Sequence, residues 1–431
     1  MARLLAPLRH TCARAYSSRA TADFSVFQEG DRVYIDGKRS PTLTKPLKKD
    51  YETPVARGVL KHNDIIGKRS RDRIQAYKGP SYRVSQPTLK DYIELTPRHV
   101  TPVYPADANL IVSLLDIHVA PPASGEERRE PLEILESGTG HGSLTLHLAR
   151  AINAANTHPP PRPPRSQRRI LELPEKKNSS VRGIEPEVKR EDPDPSKEND
   201  DALQTEWDAW RAQRNAILHT VEISPTYSQH AENIVRGFRR GMYVGNVDFY
   251  VSSVETWIKE QVARRSKEGE GSPDPFLSHV ILDMPSAHLR IPHVAPIMKE
   301  EAVLIVFMPS ITQIGDCVEL IAKQGLPFIQ DAVVELGTGL SGGRTWDVRM
   351  ATTKSTNDAL RKEADADETT AEESESSNTA AEEASGTVRE SKEGQQVLVC
   401  RPQAGKRITG GGFVGVWKKK KARVEHPPVD N

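Results

Sequence analysis

The chain has 431 residues, and its 60 basic and 59 acidic side chains give a formal net charge of +1. This length allows one large domain with insertions or two to three smaller domains. The near-zero net charge indicates no particular class of partner. The three cysteines show no metal-like spacing, so we expect neither a disulfide framework nor a metal site. No apolar run approaches the roughly 20 residues of a membrane span, which predicts a soluble protein without a membrane partner.

Residues 1–22 have the composition of a mitochondrial transit peptide. They hold four arginines, several Ser and Thr residues and no acid, and as a helix they would separate a leucine face from an arginine face. Arg14-Ala15-Tyr16-Ser17 is similar to a matrix-protease cleavage site. We therefore predict a mitochondrial (matrix) location, with a basic tail of no targeting role as the alternative.

Residues 23–95 are predicted to form a small basic β domain. Arg32–Ile35 alternates in polarity ahead of a turn at Asp36-Gly37, which is typical of a hairpin. A basic β module beside a catalytic domain suggests binding of nucleic acid, because phosphate contacts supply much of the affinity. The alternative is a solvated surface. The basic residues are Lys45, Lys48, Lys49, Arg57, Lys61, Lys68, Arg69, Arg71, Arg73 and Lys78.

Leu132–Arg150 reads as a strand, a glycine loop and the start of a helix, the opening βα turn of a doubly wound sheet. Glycines at 138, 140 and 142 let the backbone approach a ligand, and the helix N-terminus offers free N–H groups. The dinucleotide fingerprint would need its third glycine at Ser143. Glu136, two residues before the first glycine, gives the stretch a resemblance to S-adenosylmethionine (SAM) methyltransferases. A structural turn or another nucleotide site is the alternative.

A second acid is expected at the same pocket. Ala216–Glu222 reads as a buried strand ending in an acid, and an acid about 20 residues after a glycine loop commonly binds a ribose. Glu222 lies 86 residues after Glu136, and the separation is 24 once the 62 residues of 153–214 are left out. Two carboxylate oxygens can accept both ribose hydroxyls, whereas the alternative is a surface acid that closes a strand.

Strands and helices go on alternating toward the C-terminus, as in a doubly wound α/β fold. The strand Ser278–Leu282 delivers Asp283 at its carboxyl end, where ligands bind in open α/β sheets. The other predicted helices are Asn109–Leu115, Tyr227–Arg239, Val254–Arg264 and Thr312–Gln324, and the other predicted strands include Val247–Val251 and Ala302–Met308.

Two segments lack apolar periodicity and are predicted to be disordered. Residues 153–214 are rich in proline and charge, although the stretch around Trp207 and Trp210 could form a helix, and residues 358–393 hold 12 acids against 4 bases. We therefore assign residues 96–350 to the catalytic domain with 153–214 as an insertion, and 351–395 to an acidic insertion. Residues 396–423 are expected to complete the sheet and to end in a basic tail.

The order of these pieces resembles the tRNA (adenine-58-N1)-methyltransferase catalytic subunits, which act on the T-loop adenine. Several separate segments carry the resemblance: Pro87–Tyr92, Tyr104-Pro105-Ala106-Asp107-Ala108, Glu136–Thr145, Leu282-Asp283-Met284-Pro285, Phe307–Gln313, Trp346–Arg349, and Arg401-Pro402 with Thr409–Phe413. The resemblance implies a SAM-dependent methyltransferase with a Rossmann-like doubly wound sheet and a small N-terminal β domain. It further implies tRNA as partner, and a homotetramer or a complex with a related non-catalytic subunit.

The resemblance also assigns roles to residues. Asp283 would be the catalytic residue, and Tyr104, Pro285 and His288 would contact the substrate. The cofactor would be bound by Asp107, Glu136, Gly138, Thr139, Gly140, His141, Gly142, Ser143, Glu222, Tyr227, Ser253, Val254 and Asp283.

Four positions depart from the family pattern. His141 replaces a serine, Ser253 stands where an acid near the adenine of SAM is expected, and Tyr227 stands where an arginine is common. The stretch Ser286–His288 lacks a common tryptophan and is closer to the mitochondrial branch.

Methyl transfer to a neutral ring nitrogen needs no strong base, but positive charge moves onto the adenine. A carboxylate at Asp283 would stabilise that charge, and the base must be presented unpaired. The alternatives are a SAM enzyme of the same fold with another substrate and a non-catalytic RNA-binding subunit. An NAD enzyme is disfavoured by the glycine spacing.

Overall fold

The computed structural model describes residues 23–37, 41–122, 130–171, 195–266, 273–337, 346–352, 396–402 and 411–421. The predicted transit peptide and almost all of the predicted acidic insertion lie outside these residues. The chain divides into two compact units, one of residues 1–341 with 410–431 and one of residues 342–409.

The N-terminal part of the larger unit is a small β region. Four of its strands form an antiparallel sheet in the order β2-β1-β6-β5, and β3 pairs with β4 as a hairpin. Alternating side chains such as Val33 and Ile35 point into a core with Phe27 and Leu60. The elements are β1 (Tyr34–Asp36), β2 (Thr42–Leu43), β3 (Glu52–Pro54), β4 (Val59–Lys61), α1 (His62–Ile65), β5 (Arg73–Gln75), β6 (Ser81–Ser85) and α2 (Leu89–Leu95).

An eight-stranded sheet is the centre of the larger unit, in the order β13-β16-β12-β11-β7-β9-β10-β8. The strands from β12 to β8 run parallel, and β16 pairs antiparallel with both of its neighbours, β12 and β13. The strands are β7 (Leu132–Ser137), β8 (Arg169–Ile170), β9 (Ala216–Glu222), β10 (Val247–Val251), β11 (Leu277–Leu282), β12 (Met298–Met308), β13 (Phe328–Leu336) and β16 (Gly412–Lys419).

Helices cover both faces of this sheet, so two hydrophobic cores form. One contains Ile134 and Leu218, and the other contains Leu135 and Val280, because neighbouring strand residues point to opposite faces. The doubly wound α/β prediction is thus confirmed. The helices are α3 (Pro105–Leu114), α4 (Ser143–Ala151), α5 (Pro195–Arg211), α6 (Pro225–Gly237), α7 (Val254–Arg265), α8 (Ile291–Val294) and α9 (Ile311–Lys323).

The N-terminal β region is tied to the sheet domain by a few polar contacts. Arg240 donates to both carboxylate oxygens of Asp31 at 2.8 Å, and the Tyr92 hydroxyl donates to the carbonyl of Ile234 at 2.9 Å. Arg240 has a positive φ of 53°, a backbone conformation that is unfavourable for a residue with a side chain.

The structure differs from the prediction of disorder at 153–214. Residues 153–171 run along the domain and add β8 to the sheet edge, and α5 packs through Trp207, which is 2% exposed. The prediction of disorder was wrong for 153–171, because a few buried contacts anchor a segment whose average composition is polar. The helix expected around Trp207 and Trp210 is present as part of α5, and residues 172–194 lie outside the described part of the chain. Helix α3 also begins at Pro105, four residues before the predicted start, since proline suits the first turn of a helix.

The smaller unit contains a two-stranded antiparallel sheet of β14 (Trp346–Thr352) and β15 (Gln396–Pro402). Of the C-terminal strands expected to complete the large sheet, β16 joins it between β12 and β13, whereas β15 pairs with β14. Sequence periodicity shows that a segment is extended but not which strand it pairs with.

Candidate active site

A cavity of about 460 Å³ lies where β7, β9, β10 and β11 end at their carboxyl termini. Three acids from three strands meet there: Glu136, Glu222 and Asp283. The remaining predicted site residues that line the cavity are Gly138, Thr139, Gly140, His141, Ser143, Tyr227, Ser253, Val254 and Pro285.

Four predicted site residues lie outside the cavity wall. Gly142 has a φ of +84° and packs against Ala231, so a side chain there would crowd α6. Asp107 is buried in the first turn of α3. The hydroxyl of Tyr104 accepts a hydrogen bond from Arg98 at 3.2 Å, and His288 lies in the turn after β11.

The glycine loop is shaped to meet the chain that carries Asp283. Gly138 has a φ of +97°, and a Cβ atom there would lie 1.8 Å from the backbone oxygen of Asp283. The amide of Asp283 donates to the carbonyl of Ser137 at 2.9 Å. Only glycine allows this approach, and it places the 283 side chain beside the loop.

Glu136 is buried, and none of the described residues gives it a cationic partner. It is 1% exposed and accepts hydrogen bonds from the hydroxyls of Thr145 at 2.7 Å and Thr220 at 2.8 Å. Burial raises its pKa to about 8, the two hydroxyls oppose this rise, and the negative charges of Asp283 and Glu222 add to it.

Asp283 likewise has a raised pKa and no cation within 4.0 Å among the described residues. Burial, with the charge of Glu222 nearby, raises the pKa of Asp283 to about 7. Its carboxyl can therefore both accept and release a proton near neutral pH, as a group that handles a proton in a reaction must.

Glu222 is held in place by backbone amides. One oxygen accepts from the amide of Gly140 at 3.0 Å and the other from Ser224 at 2.9 Å. Each carboxylate oxygen has a second lone pair, so both can still accept from a bound diol. Glu222 is the last residue of β9, and Ser224 caps α6, so the local sequence explains this geometry.

His141 lines the cavity with both ring nitrogens unsatisfied within the described part of the chain. The ring is 2% exposed and lies 5.2 Å from the ring of His230. Burial, together with the charge of His230, lowers its pKa to about 4. The ring is therefore neutral at physiological pH and offers one donor and one acceptor to a ligand.

These polar groups match SAM. Its sulfonium and ammonium groups are cationic, and the cavity holds three acids for which no cation within 4.0 Å is found among the described residues. The unsatisfied nitrogens of His141 add capacity for polar groups. The loop backbone around Gly138 leaves no room for a side chain. The site thus fits a cationic, ribose-containing cofactor.

Several wall residues were missed from the sequence. Val100, Thr101 and Val103 precede α3 and carry no motif of their own, so only the tertiary fold places them. Arg290 and Glu255 form an ion pair at 3.0 Å across the cavity rim. Ser224 could have been found, because Ser before Pro at a helix start is a capping signal.

Comparison with known proteins finds families and relatives that this chain resembles. The family described as tRNA methyltransferase complex GCD14 subunit matches residues 246–414, and the TrmI-like N-terminal family matches residues 26–70. The tRNA (adenine(58)-N(1))-methyltransferase TrmI of Thermus thermophilus is 24% identical over 294 residues, which cover 68% of this chain and 78% of that protein. Over these segments the chain is similar to tRNA (adenine-58-N1)-methyltransferases.

Two further matches concern the sequence and the fold. The Methanocaldococcus jannaschii tRNA (adenine(57)-N(1)/adenine(58)-N(1))-methyltransferase TrmI is 26% identical over 121 residues, or 28% of this chain and 37% of that protein. A SAM-dependent O-methyltransferase from Thermotoga maritima superposes with a TM-score of 0.50 at 15% identity, covering 93% of this chain and 97% of that one. The latter match shows that this chain has the SAM-dependent methyltransferase fold.

Two absences concern the described residues only. Within them, no helix has the length and apolar character that crossing a membrane requires. The same part of the chain holds no group of three or more His, Cys, Asp or Glu side chains arranged for a metal ion.

Proposed function

We propose that this chain catalyses SAM-dependent methylation of N1 of the T-loop adenine, position 58, in tRNA. The observation that carries the proposal is the meeting of Asp283, Glu136 and Glu222 around one glycine-lined cavity at the carboxyl ends of parallel strands. The names of the Thermus and Methanocaldococcus relatives indicate the same reaction.

Each acid has its own role in this proposal. Glu222 accepts hydrogen bonds from the ribose hydroxyls of the cofactor, and Glu136 faces its methionine end. The glycine loop allows close approach, and the α4 N-terminus offers amides. When bound, SAM supplies a methyl group on a cationic sulfur.

Asp283 acts on the adenine. Its carboxylate accepts a hydrogen bond from N6 and stabilises the positive charge that the ring gains as N1 is methylated. Because burial raises the pKa of Asp283 to about 7, the same carboxyl can take a proton from N6 if the product loses one. The cavity walls hold the base, and alignment supplies much of the remaining rate.

The N-terminal β region supports tRNA as the substrate. Its ten basic residues, the set between Lys45 and Lys78, are all exposed. Tyr51 and Tyr77 are also exposed, by 57% and 60%, and lysines lie over both rings. Exposed rings among cations suit unpaired bases and phosphates.

The compartment and assembly are further parts of the proposal. The composition of residues 1–22 supports mitochondrial matrix tRNA as the substrate. A fusion of residues 1–40 to a fluorescent protein should enter mitochondria, and a cytosolic fusion would contradict this. A homotetramer, or a complex with a related non-catalytic subunit, should appear in light scattering of the purified protein.

The central experiment compares Asp283→Ala with Asp274→Ala, whose side chain is exposed outside the cavity. Methyl transfer from labelled SAM to tRNA transcripts should fall by about 10²–10³-fold in Asp283→Ala alone, while calorimetry shows that SAM still binds. A transcript with its T-loop adenine replaced should accept no methyl group. Full activity of Asp283→Ala would refute the mechanism, and tRNA binding without methylation by the unmodified chain would favour a non-catalytic subunit.

A further inference from the structure

A second cavity, of about 240 Å³, lies in the same unit and shares no lining residue with the cofactor cavity. It sits near the amino-terminal ends of the central strands, since Asp248 is the second residue of β10. Helices α5 and α7 supply much of its wall. Five arginines line it: Arg169, Arg211, Arg214, Arg264 and Arg265.

The acids around this cavity are fewer than the arginines that need them. Arg211 and Arg214 share the single carboxylate of Asp248, at 2.6 and 2.9 Å. Asp208 lies 3.5 Å from Arg211 and is 53% exposed, so solvent weakens its contribution.

Two further arginines of the wall are paired with acids that do not themselves line the cavity. Arg265 donates to Glu133 at 2.7 Å, and Arg264 lies 3.7 Å from Glu260, which is a long contact. Within the described part of the chain, no carboxylate lies within 4.0 Å of the Arg169 guanidinium, which instead lies over the ring of Tyr250 at 5.9 Å. The cavity therefore keeps an excess of positive charge.

A buried polar atom in the wall also lacks a partner. His219 has a side chain that is 4% exposed, and its Nε2 contacts Glu133 at 2.8 Å. Its Nδ1 has no hydrogen-bond partner within the described residues and lies 4.0 Å from Asp248. An unsatisfied buried nitrogen costs free energy unless a ligand or water meets it.

We propose that this arginine cavity binds a phosphate group. Guanidinium groups present planar pairs of N–H donors that match phosphate oxygens, and several of them converge here around a space with too few acids. The two buried arginines stay fixed by Asp248, while Arg169 and Arg264 are exposed at the rim and can close on an anion. The His219 ring adds one more polar contact.

The phosphate can come from two sources with the same chemistry. Arg169, Arg211 and Arg214 all belong to the 153–214 insertion, and the other two arginines of the wall belong to α7. A free phosphate ion would bind as a stabilising ligand. A phosphate of RNA would make this cavity part of the tRNA contact surface.

The test uses the full-length protein and inorganic phosphate. Calorimetry and thermal unfolding in potassium phosphate are compared with potassium chloride of equal ionic strength. Phosphate should raise the unfolding temperature of the unmodified chain, because ligands of the folded state stabilise it. The rim variant Arg169→Gln/Arg264→Gln should bind phosphate at least about tenfold more weakly. Both side chains are exposed, so the fold should survive.

The control variant removes the same number of charges elsewhere. Arg150→Gln/Lys323→Gln alters exposed side chains on α4 and α9, and its phosphate affinity should equal that of the unmodified chain. An unmodified chain that responds equally to phosphate and chloride would overturn the proposal. So would a rim variant that binds phosphate as well as the control does.

A second arm separates the two sources. If RNA occupies the cavity, the rim variant binds tRNA more weakly, with a salt slope lower by about 1 to 2, and inorganic phosphate competes with tRNA. If a free ion is the ligand, tRNA affinity is the same in the rim and control variants while phosphate affinity still falls. Neither arm requires methyl transfer, so failure of the proposed enzyme activity would not affect the result.

Discussion

The two ends of one strand give opposite environments to two buried acids. Glu133 and Glu136 both belong to β7, and they are 3% and 1% exposed. Burial alone would raise the pKa of Glu133, but hydrogen bonds and charges from His219 and Arg265 hold it below its usual value. Glu136 has only hydroxyl partners, and its pKa rises to about 8.

The same contrast holds between β10, which carries Asp248, and β11, which is followed by Asp283. Burial would raise the pKa of Asp248, but Arg214 and Arg211 hold it well below its usual range, whereas the pKa of Asp283 rises to about 7. Glu133, Glu136 and Asp248 are buried and Asp283 is partly buried, and in each case the partner decides the direction of the pKa shift. Paired acids stabilise the fold, and acids without cations are left for a cationic ligand.

The largest effect is expected for Asp248, an acid that is paired with two arginines. Asp248→Ala should lower the free energy of unfolding by about 3–5 kcal/mol, because it leaves two buried guanidinium groups without their carboxylate. Urea unfolding followed by circular dichroism measures this. Asp208→Ala is the control, since its side chain is 53% exposed, and should change stability by less than about 1 kcal/mol. Equal effects of the two substitutions would mean that the buried ion pairs of Asp248 stabilise the fold no more than the exposed Asp208 does.

The next largest effect is expected for Glu222, an acid that lines the cofactor cavity. Glu222→Gln should weaken SAM binding by roughly 10- to 100-fold, because an amide has one acceptor oxygen instead of two. Calorimetric titration gives the affinity. Glu319→Gln is the control, because that side chain is 62% exposed on α9 and does not line the cavity. Unchanged affinity in Glu222→Gln would remove this residue from the cofactor site.

Glu136 and Asp248 should contribute to the pH dependence of stability with opposite signs. The folded state keeps a proton on Glu136 that the unfolded chain releases, so Glu136 stabilises the fold fully below pH 4.5 and loses that contribution as pH rises through about 8. Its share of the slope is up to about 1.4 kcal/mol per pH unit. Asp248, with a lowered pKa, stabilises above pH 3.8 and loses its contribution as pH falls.

Glu136→Gln should therefore flatten the fall in unfolding free energy between pH 4.5 and about 8, leaving the part that Asp283 contributes. Denaturation midpoints across this pH range measure it, and Asp274→Asn serves as the control because that side chain is exposed. An unaltered slope in Glu136→Gln would show that its carboxyl is already ionised.

The smallest expected effect is the release of protons from the protein when SAM binds. A cationic ligand lowers the pKa of nearby carboxyls, so binding of SAM at pH 7 should release up to about one proton from Glu136 and Asp283. Calorimetry in two buffers of different ionisation enthalpy counts it. The neutral thioether product should release less, and equal release by both ligands would contradict the electrostatic contrast.

Local patterns in the chain were enough for the elements around the cofactor cavity. The strand before Gly138, the strand ending at Glu222 and the strand before Asp283 all lie where periodicity predicts them. A glycine with positive φ and a run of buried β-branched residues depend mainly on neighbours in sequence. The insertion was misjudged for the opposite reason, because Trp207, Arg211 and Arg214 are ordered by distant partners.

The sequence by itself determined the order of strands and helices along the chain and the residues that stand at each strand end, since these follow from local spacing. Only the tertiary structure decided which acids are neutralised. Arg265 reaches Glu133 across 132 residues, and Arg214 reaches Asp248 across 34. The order of strands in space sets those pairs, and burial then turns each pairing or its absence into a pKa far from the ordinary value.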